Sequence, residues 1–469
     1  MQVTLQQLCA VVSHARLHST VTSDADNVVL TGLTTDSRKV MAGDLFVALR
    51  GEHFDAHDFL TDVVVRGAVA VVAEHVPADL GVPALIVPNT LLALQEIARY
   101  WRQQFSLPVI AVTGSNGKTT VKEMIASILT AYVGEEHSLA TSGNLNNEIG
   151  VPLTVLRLNK AHQAAVFELG MNHPGEIAVL ASVAQATVAM VNNAQREHQE
   201  FMQTVQAVAE ENGTVLRQLP ANGVAVFPAD DTYSDLWRAY AAETGQRKIV
   251  TFGLSADADV SATYQVQSVG SDFGSELQMR IGGSDITIKL AAVGVHNVRN
   301  ALAAAACCHS IGVPNEVIAT GLQAFSPVNG RLQSKQAHNN ARIIDDTYNA
   351  NPDSVRAAID VLAPATQSSV LVLGDMGEVG DDGVAFHEEI GHYAHERGIA
   401  QLLTLGELAQ HTAQAYGAGA QHFSDVAELC SALDVAIDSN STILIKGSRF
   451  MKMERVVAHL TKQQSIGSH

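Results

Sequence analysis

The chain has 469 residues, too many for one ordinary core, and length alone suggests about three domains. Its composition, 47% hydrophobic and 16% charged with no low-complexity tract, is that of a packed globular protein. The net charge of −19 argues against nonspecific binding to nucleic acid or an anionic membrane, since phosphate contacts need a basic surface.

The first ten residues show no basic stretch followed by an apolar one, so no signal peptide is expected. No apolar run nears the roughly 18 residues of a membrane-spanning helix. Cys9, Cys307, Cys308 and Cys430 form no C-x-x-C pair, and a reducing, cytoplasmic location is expected. Residues 1–88 read as a small α/β domain: a helix around Leu5, Leu8, Val11 and Val12, a strand within Gly43 to Leu49, a helix and two short strands between Val63 and Val87. Thr35-Asp-Ser-Arg38 is either a capped turn or part of a ligand site.

Leu91 to Phe105 has the spacing of an amphipathic helix, and the run Val109 to Val112 that follows reads as a buried parallel strand. It opens into Thr113-Gly-Ser-Asn-Gly-Lys-Thr-Thr120 and then a helix with Val121, Met124, Ile125, Ile128 and Leu129 on one face. Strand, Gly-rich turn, Lys-Thr and helix make the phosphate cradle of a P-loop. Lys118 would bridge β- and γ-phosphates and the Thr119 hydroxyl would ligate Mg²⁺. The spacing departs from G-x-x-x-x-G-K-[ST], because Val112 holds the place of the first glycine.

Further along, Ala164 to Gly170 is a strand that ends in Glu168, either a solvated strand end or a carboxylate that reaches the metal of the P-loop. His198 lies just beyond another apolar strand, where open α/β sheets place ligands, though a lone histidine is as readily structural. Residues 265–290 alternate like an antiparallel meander. Asn297 and Asn300, one turn apart at the start of an Ala-rich helix, are either caps or readers of a base edge. Phe325 to Arg331 has the Pro and Gly punctuation of a linker. Beyond it, four strands alternate with helices as in a doubly wound, Rossmann-like domain that lacks a G-x-G-x-x-G fingerprint. There Asp353 or Ser354 is expected to cap a helix starting at Val355. The expected boundaries are 1–88, 89–326 and 327–469.

Six motifs together resemble the Mur ligases: Thr113 to Thr120, Gly143-Asn-Leu-Asn-Asn-Glu-Ile-Gly-Val-Pro152, Glu168-Leu-Gly-Met171, His296-Asn-Val-Arg-Asn300, Gly330-Arg331 and Asp346 to Ser354. The resemblance spans essentially the whole chain. Thr34-Thr-Asp-Ser-Arg38, Gly43 to Leu49, Tyr348-Asn-Ala-Asn-Pro352 and Gly374-Asp-Met-Gly-Glu378 look most like the branch that adds D-alanyl-D-alanine to UDP-N-acetylmuramoyl-tripeptide in peptidoglycan precursor synthesis. It implies an N-terminal domain for the UDP end of the substrate, a central P-loop ATPase domain with a mainly parallel sheet, and a C-terminal Rossmann-like domain that closes over both. The implied cofactors are ATP and Mg²⁺, and the implied chemistry is ligation through an acyl phosphate, with the chain working as a monomer.

By the same resemblance Lys118, Glu168, His198 and Arg331 are catalytic, and Thr113, Gly114, Ser115, Asn116, Gly117, Lys118, Thr119 and Thr120 hold phosphate. Thr119 and Glu168 hold one Mg²⁺ and His198 a second; Asn297 and Asn300 face adenine, and Asp346 the ribose. Arg331 meets the γ-phosphate on closure, while Ser37, Arg38, Asn144 and Asn147 lie near the UDP-substrate. Many Mur ligases carry a carbamylated lysine after the residue matching His198. The matching position, fourteen residues on, is Asn212, so no carbamate is expected; a weaker second metal, or Glu210 or Glu211 acting through water, would follow. Two other readings remain: a folylpolyglutamate-type ligase, against which the region before Leu91 argues, and a nucleotide-dependent regulatory ATPase.

Overall fold

The computed structural model describes residues 2–19, 28–197, 199–269 and 272–461. Among them, one sheet of nine strands, one of six and one of five each carry their own apolar core, beside a two-stranded ribbon of Val3–Thr4 and Val29–Leu30. The mixed α/β fold with mainly parallel sheets is as expected from the sequence.

The nine-stranded sheet is the centre of the molecule. Val109–Thr113 lies between Ala164–Glu168 and Val188–Val191, parallel to both. Ser138–Ala140 flanks the first, while Val224–Pro228, Lys248–Gly253 and Val260–Val269 extend the sheet on the other side. Asp272–Ile281 and Ser284–Leu290 complete it as the antiparallel meander foreseen for 265–290. All five residues of Val109–Thr113 are buried. A strand covered on both faces by helices has no polar side, which is why it reads as a continuous apolar run. Lys118–Val133, Val295–Ser310 and Asn315–Ala324 cover one face, and Glu176–Ala184 and Val205–Arg217 the other. Helix Thr90–Arg102 is shared: Ala93, Leu94 and Ile97 pack into the five-stranded sheet's core and Ala98 into the central one.

The C-terminal sheet has six strands rather than the expected four. Gln333–Gln336 pairs antiparallel with Arg342–Asp346, and Ala420–Phe423 forms the opposite edge, parallel to Gln401–Leu405. Both added strands are polar edges whose ladder partners, not their composition, make them strands. The helix after Arg342–Asp346 also begins earlier than expected. It runs Pro352–Leu362 and its cap is Asn351, not Asp353 or Ser354. Asn351 Oδ1 accepts from the Ser354 amide at 2.8 Å, and the Ser354 hydroxyl accepts from the Asn351 amide at 3.0 Å. Pro352 fits the first helical position, where no amide donor is needed.

Candidate active site

The strand register brings the ends of three parallel strands together: Val112 stands beside Glu168 on one side and Met190 on the other. Loops leaving these ends line a cleft of about 540 Å³, within the roughly 300 to 1,000 Å³ usual for small-molecule sites. Residues 330–331, 346–354 and 377–379 close its far side.

The P-loop turns where only glycine fits. Gly117 has φ +83°, and a Cβ there would lie 2.4 Å from Asn300 Oδ1 and 2.6 Å from Asn192 Nδ2. The helix Lys118–Val133 then starts with no side-chain cap. Its first amides thereby remain available to an anion, which the helix dipole also favours. Lys118 folds back over the turn: its Nζ donates to Gly114 O (2.5 Å), Ser115 O (3.0 Å) and Glu197 Oε2 (3.2 Å).

Glu168 is buried, as a charge rarely is without partners. Its Oε1 accepts from Thr119 Oγ1 at 3.0 Å and Asn146 Nδ2 at 2.9 Å, whereas Oε2 is buried with no hydrogen-bond partner. An acceptor left this way beside a P-loop threonine fits a hard divalent cation such as Mg²⁺, which prefers oxygen ligands. Thr119 Oγ1 also accepts from Arg331 Nη2 at 3.0 Å. The Arg331 guanidinium carbon lies over the Tyr348 ring, 4.0 Å from its centre, a cation–π contact that helps hold the guanidinium in place.

A row of asparagines forms the next wall. Asn192 Nδ2 donates to Asn116 O (2.7 Å) and Asn300 Oδ1 (2.9 Å), and Asn300 Nδ2 donates to Asn297 Oδ1 (3.2 Å). Neither Asn297 nor Asn300 caps Val295–Ser310; that position is Gly294, and Asn297 Nδ2 donates back to Val293 O at 2.9 Å. His296 stands half-buried beside them with its Nε2 enclosed, and desolvation pushes its pKa down to about 4. Asp346 is held by Lys446 Nζ at 2.6 Å and accepts from the Leu332 amide at 3.1 Å.

The cleft therefore gathers Ser115, Asn116, Gly117, Lys118, Thr119, Thr120, Asn147, Glu168, Asn297, Asn300, Arg331 and Asp346. Thr113 and Gly114 lie outside its lining: the Thr113 hydroxyl and the Gly114 amide both donate to buried Asn212 Oδ1, at 2.6 and 3.0 Å. Asn144 is exposed and does not line the cleft, and Asn147 Oδ1 also accepts from the Gly150 amide at 2.9 Å. Ser37 and Arg38 do not line it; they lie between the strands Gly32–Thr34 and Asp44–Val47 of the five-stranded sheet. Arg38 is exposed and its hydrogen bond to Asp36 lowers that carboxyl to about 2. His198 lies outside the described residues.

Glu210 and Glu211 do not line the cleft. Glu211 accepts from the Gly175 and Ile177 amides at 2.9 and 2.8 Å and so caps a neighbouring helix, and Glu210 is exposed and takes a hydrogen bond from Gln206. Asn146, Asn192, Arg196, Glu197 and Lys446 also line the cleft. Asn146 stood inside a motif already quoted, and its donation to Glu168 depends on a fold that brings residues 22 apart together.

Residues 29–102 match the family model described as Mur ligase family, catalytic domain; residues 112–308 match Mur ligase middle domain, and 330–449 match Mur ligase, glutamate ligase domain. The chain is similar to the UDP-N-acetylmuramoyl-tripeptide–D-alanyl-D-alanine ligase of Escherichia coli, 41% identical over 462 residues and covering 98% of each chain. Among solved structures it is similar to MurF from Acinetobacter baumannii, with TM-score 0.89 and 35% identity over 98% of this chain and 99% of that one. It is also similar to the MurF ligase from Thermotoga maritima in complex with ADP, with TM-score 0.82 and 25% identity over 94% and 99%. Identity of this level over nearly the full length, with three family segments in order around the P-loop cleft, shows that the chain belongs to the Mur ligase family.

Proposed function

We propose that the chain is an ATP-dependent ligase that joins D-alanyl-D-alanine to UDP-N-acetylmuramoyl-tripeptide, giving the pentapeptide, ADP and phosphate. The observation that carries this reading is Thr119 Oγ1. It is bonded at once to Glu168, whose second oxygen has no partner, and to Arg331 from beyond the linker. A γ-phosphate at this place would be enclosed by groups of both units. The E. coli relative bears this activity in its name, and the T. maritima structure holds ADP.

A carboxylate is a poor electrophile at neutral pH. Its oxygen attacks the γ-phosphorus, the bond to ADP breaks, and an acyl phosphate forms whose phosphate is a good leaving group. The amine of D-alanyl-D-alanine, after loss of its ammonium proton, attacks the acyl carbon. Phosphate then departs with the oxygen from the carboxylate, and the nitrogen loses a second proton to become the amide.

Lys118 turns from the backbone carbonyls and Glu197 to the β- and γ-phosphates, and Arg331 adds charge on the opposite side. Glu168 and Thr119 would hold Mg²⁺, and His198 would be a ligand for a second ion; a cation bound there would supply positive charge to the phosphate oxygens. Asn297 and Asn300 face adenine and Asp346 the ribose. Ser37, Arg38, Asn144 and Asn147 guide the UDP-substrate. Asn212 brings no negative charge, and turnover is expected to be independent of bicarbonate.

The test is isotopic. Tripeptide labelled with ¹⁸O in its terminal carboxylate is expected to deliver one ¹⁸O to each released phosphate, alongside pentapeptide by mass spectrometry. Phosphate that takes its oxygen from water instead would contradict the ligase reading and favour a nucleotide-hydrolysing regulatory module.

A further inference from the structure

The segment between Val188–Val191 and the helix Gln199–Met202 bonds in two directions. Toward the P-loop, Asn116 Nδ2 donates to Gln195 Oε1 at 2.6 Å, the Gln195 amide donates to Ser115 Oγ at 2.8 Å, and Glu197 holds Lys118. Toward the six-stranded unit it sends Arg196. The Arg196 amide donates to Asp353 Oδ2 at 2.8 Å and its Nη2 to Asp353 Oδ1 at 2.6 Å. Nη1 and Nη2 also donate to Glu389 Oε2 and Oε1, at 2.6 and 3.1 Å. Arg356 adds a second cation to Glu389 at 3.0 Å, and the Phe386 ring centre lies 5.3 Å from the Arg196 guanidinium carbon.

Asp353 lies in the first turn of the helix Pro352–Leu362, and Glu389 belongs to Gly383–Glu396. One guanidinium thus forks onto carboxylates from two helices of the other unit, a geometry that lysine cannot reproduce. The side chains of Arg196 and Asp353 are each 22% exposed, so salt screens this contact less than a surface pair. The hydrogen bonds that Arg196 donates to Glu389 and Asp353 hold its pKa above its usual value. Beside it, Asn351 Nδ2 donates to Asn116 Oδ1 of the P-loop at 3.0 Å.

We propose that Arg196 is a positioning residue for ligation: it clasps the helices Pro352–Leu362 and Gly383–Glu396, and so seats Asn351 and Arg331 against the P-loop. The inference rests on the ligase reading for its kinetic consequence, but the closed arrangement is measurable without it. The hydrogen bonds of Arg196 run to Asp353 and Glu389 and not to Lys118 or Thr119. Its loss acts on the fraction of molecules that are closed, and the P-loop keeps its own groups for ATP.

The experiment uses the full chain. Arg196→Ala is expected to lower kcat about tenfold while changing KM for ATP by less than about twofold. Small-angle scattering is expected to show a larger radius of gyration than wild type. Arg196→Lys is expected to restore only part of kcat, because the fork is lost. Glu389→Gln is expected to lower kcat less, and the double variant Arg196→Ala/Glu389→Gln no more than Arg196→Ala alone, since both cut one contact. If Arg196→Ala does not fold by circular dichroism, Glu389→Gln carries the test with the same expected direction. Wild-type kcat and scattering in these variants would overturn the clasp, as would equal losses in kcat and ATP affinity. Absence of pentapeptide from the wild-type enzyme would instead sink the ligase reading, and the scattering comparison would still decide the clasp.

Discussion

The loop after Val109–Thr113 and the loop after Arg342–Asp346 leave parallel sheets and meet at one cleft, but they treat their charges differently. At the first, Glu168 of the neighbouring strand keeps a buried oxygen without a partner, the helix Lys118–Val133 has no side-chain cap, and Lys118 rests on carbonyls of its own turn. In the second, Asp346 is closed by Lys446 and the Leu332 amide, and Asn351 and Ser354 satisfy each other in a capping box. Unmet polar groups in a buried place are costly unless a ligand meets them. The contrast separates a loop built to receive charge from a loop built to hold its shape, and the segment before Gln333–Gln336 adds one cation, Arg331, to the receiving side.

Removing the receiving charge should have the largest effect. Lys118→Ala is expected to lower kcat/KM by about a thousandfold or more, in steady-state ligation, because neutralisation of phosphate charge is the main catalytic contribution. Near-normal turnover would erase the distinction between the loops. On the rigid side the loss should appear as stability. Lys446→Met leaves Asp346 buried and unpaired, in a pair whose side chains are 4% and 12% exposed. It is expected to destabilise folding by about 3 kcal/mol in denaturant melts.

Arg331 should fall between the two behaviours. Arg331→Ala is expected to reduce kcat about a hundredfold, near 2.7 kcal/mol, with a much smaller change in ATP affinity by calorimetry. Equal losses in both would make it a ground-state phosphate ligand instead of a closing group.

The smallest effect concerns His296, whose pKa burial lowers to about 4. A histidine with a depressed folded-state pKa resists protonation while the unfolded chain accepts it. Its stabilising contribution is present above about pH 6.5 and is lost as pH falls toward 4, by on the order of 1 kcal/mol per pH unit. Melts of wild type and His296→Gln over that range should differ in slope, the variant being flatter; parallel slopes would mean that His296 is not held neutral.

Much of the receiving side was legible in the sequence. The apolar run 109–112, the glycines and Lys118-Thr119 dictate a strand, a turn and a helix start from local chemistry, and Glu168 is marked by its place at a strand end. The rigid side was less legible. Gln333–Gln336 has no apolar pattern and becomes a strand only because Arg342–Asp346 offers it a ladder. The expected cap, Asp353 or Ser354, lies two or three residues beyond Asn351, since all three have cap chemistry and only the fold chooses among them. Arg196 carries no local sign at all: its partners lie 157 and 193 residues away. Long-range pairs of this kind depend on how two sheets dock, which periodicity does not encode.

The most direct measurement of the central claim is phosphate release from ATP with each substrate omitted in turn. The account predicts little release from ATP alone or with D-alanyl-D-alanine alone, and full turnover only when UDP-N-acetylmuramoyl-tripeptide and D-alanyl-D-alanine are both present. Rapid release with neither substrate would contradict it.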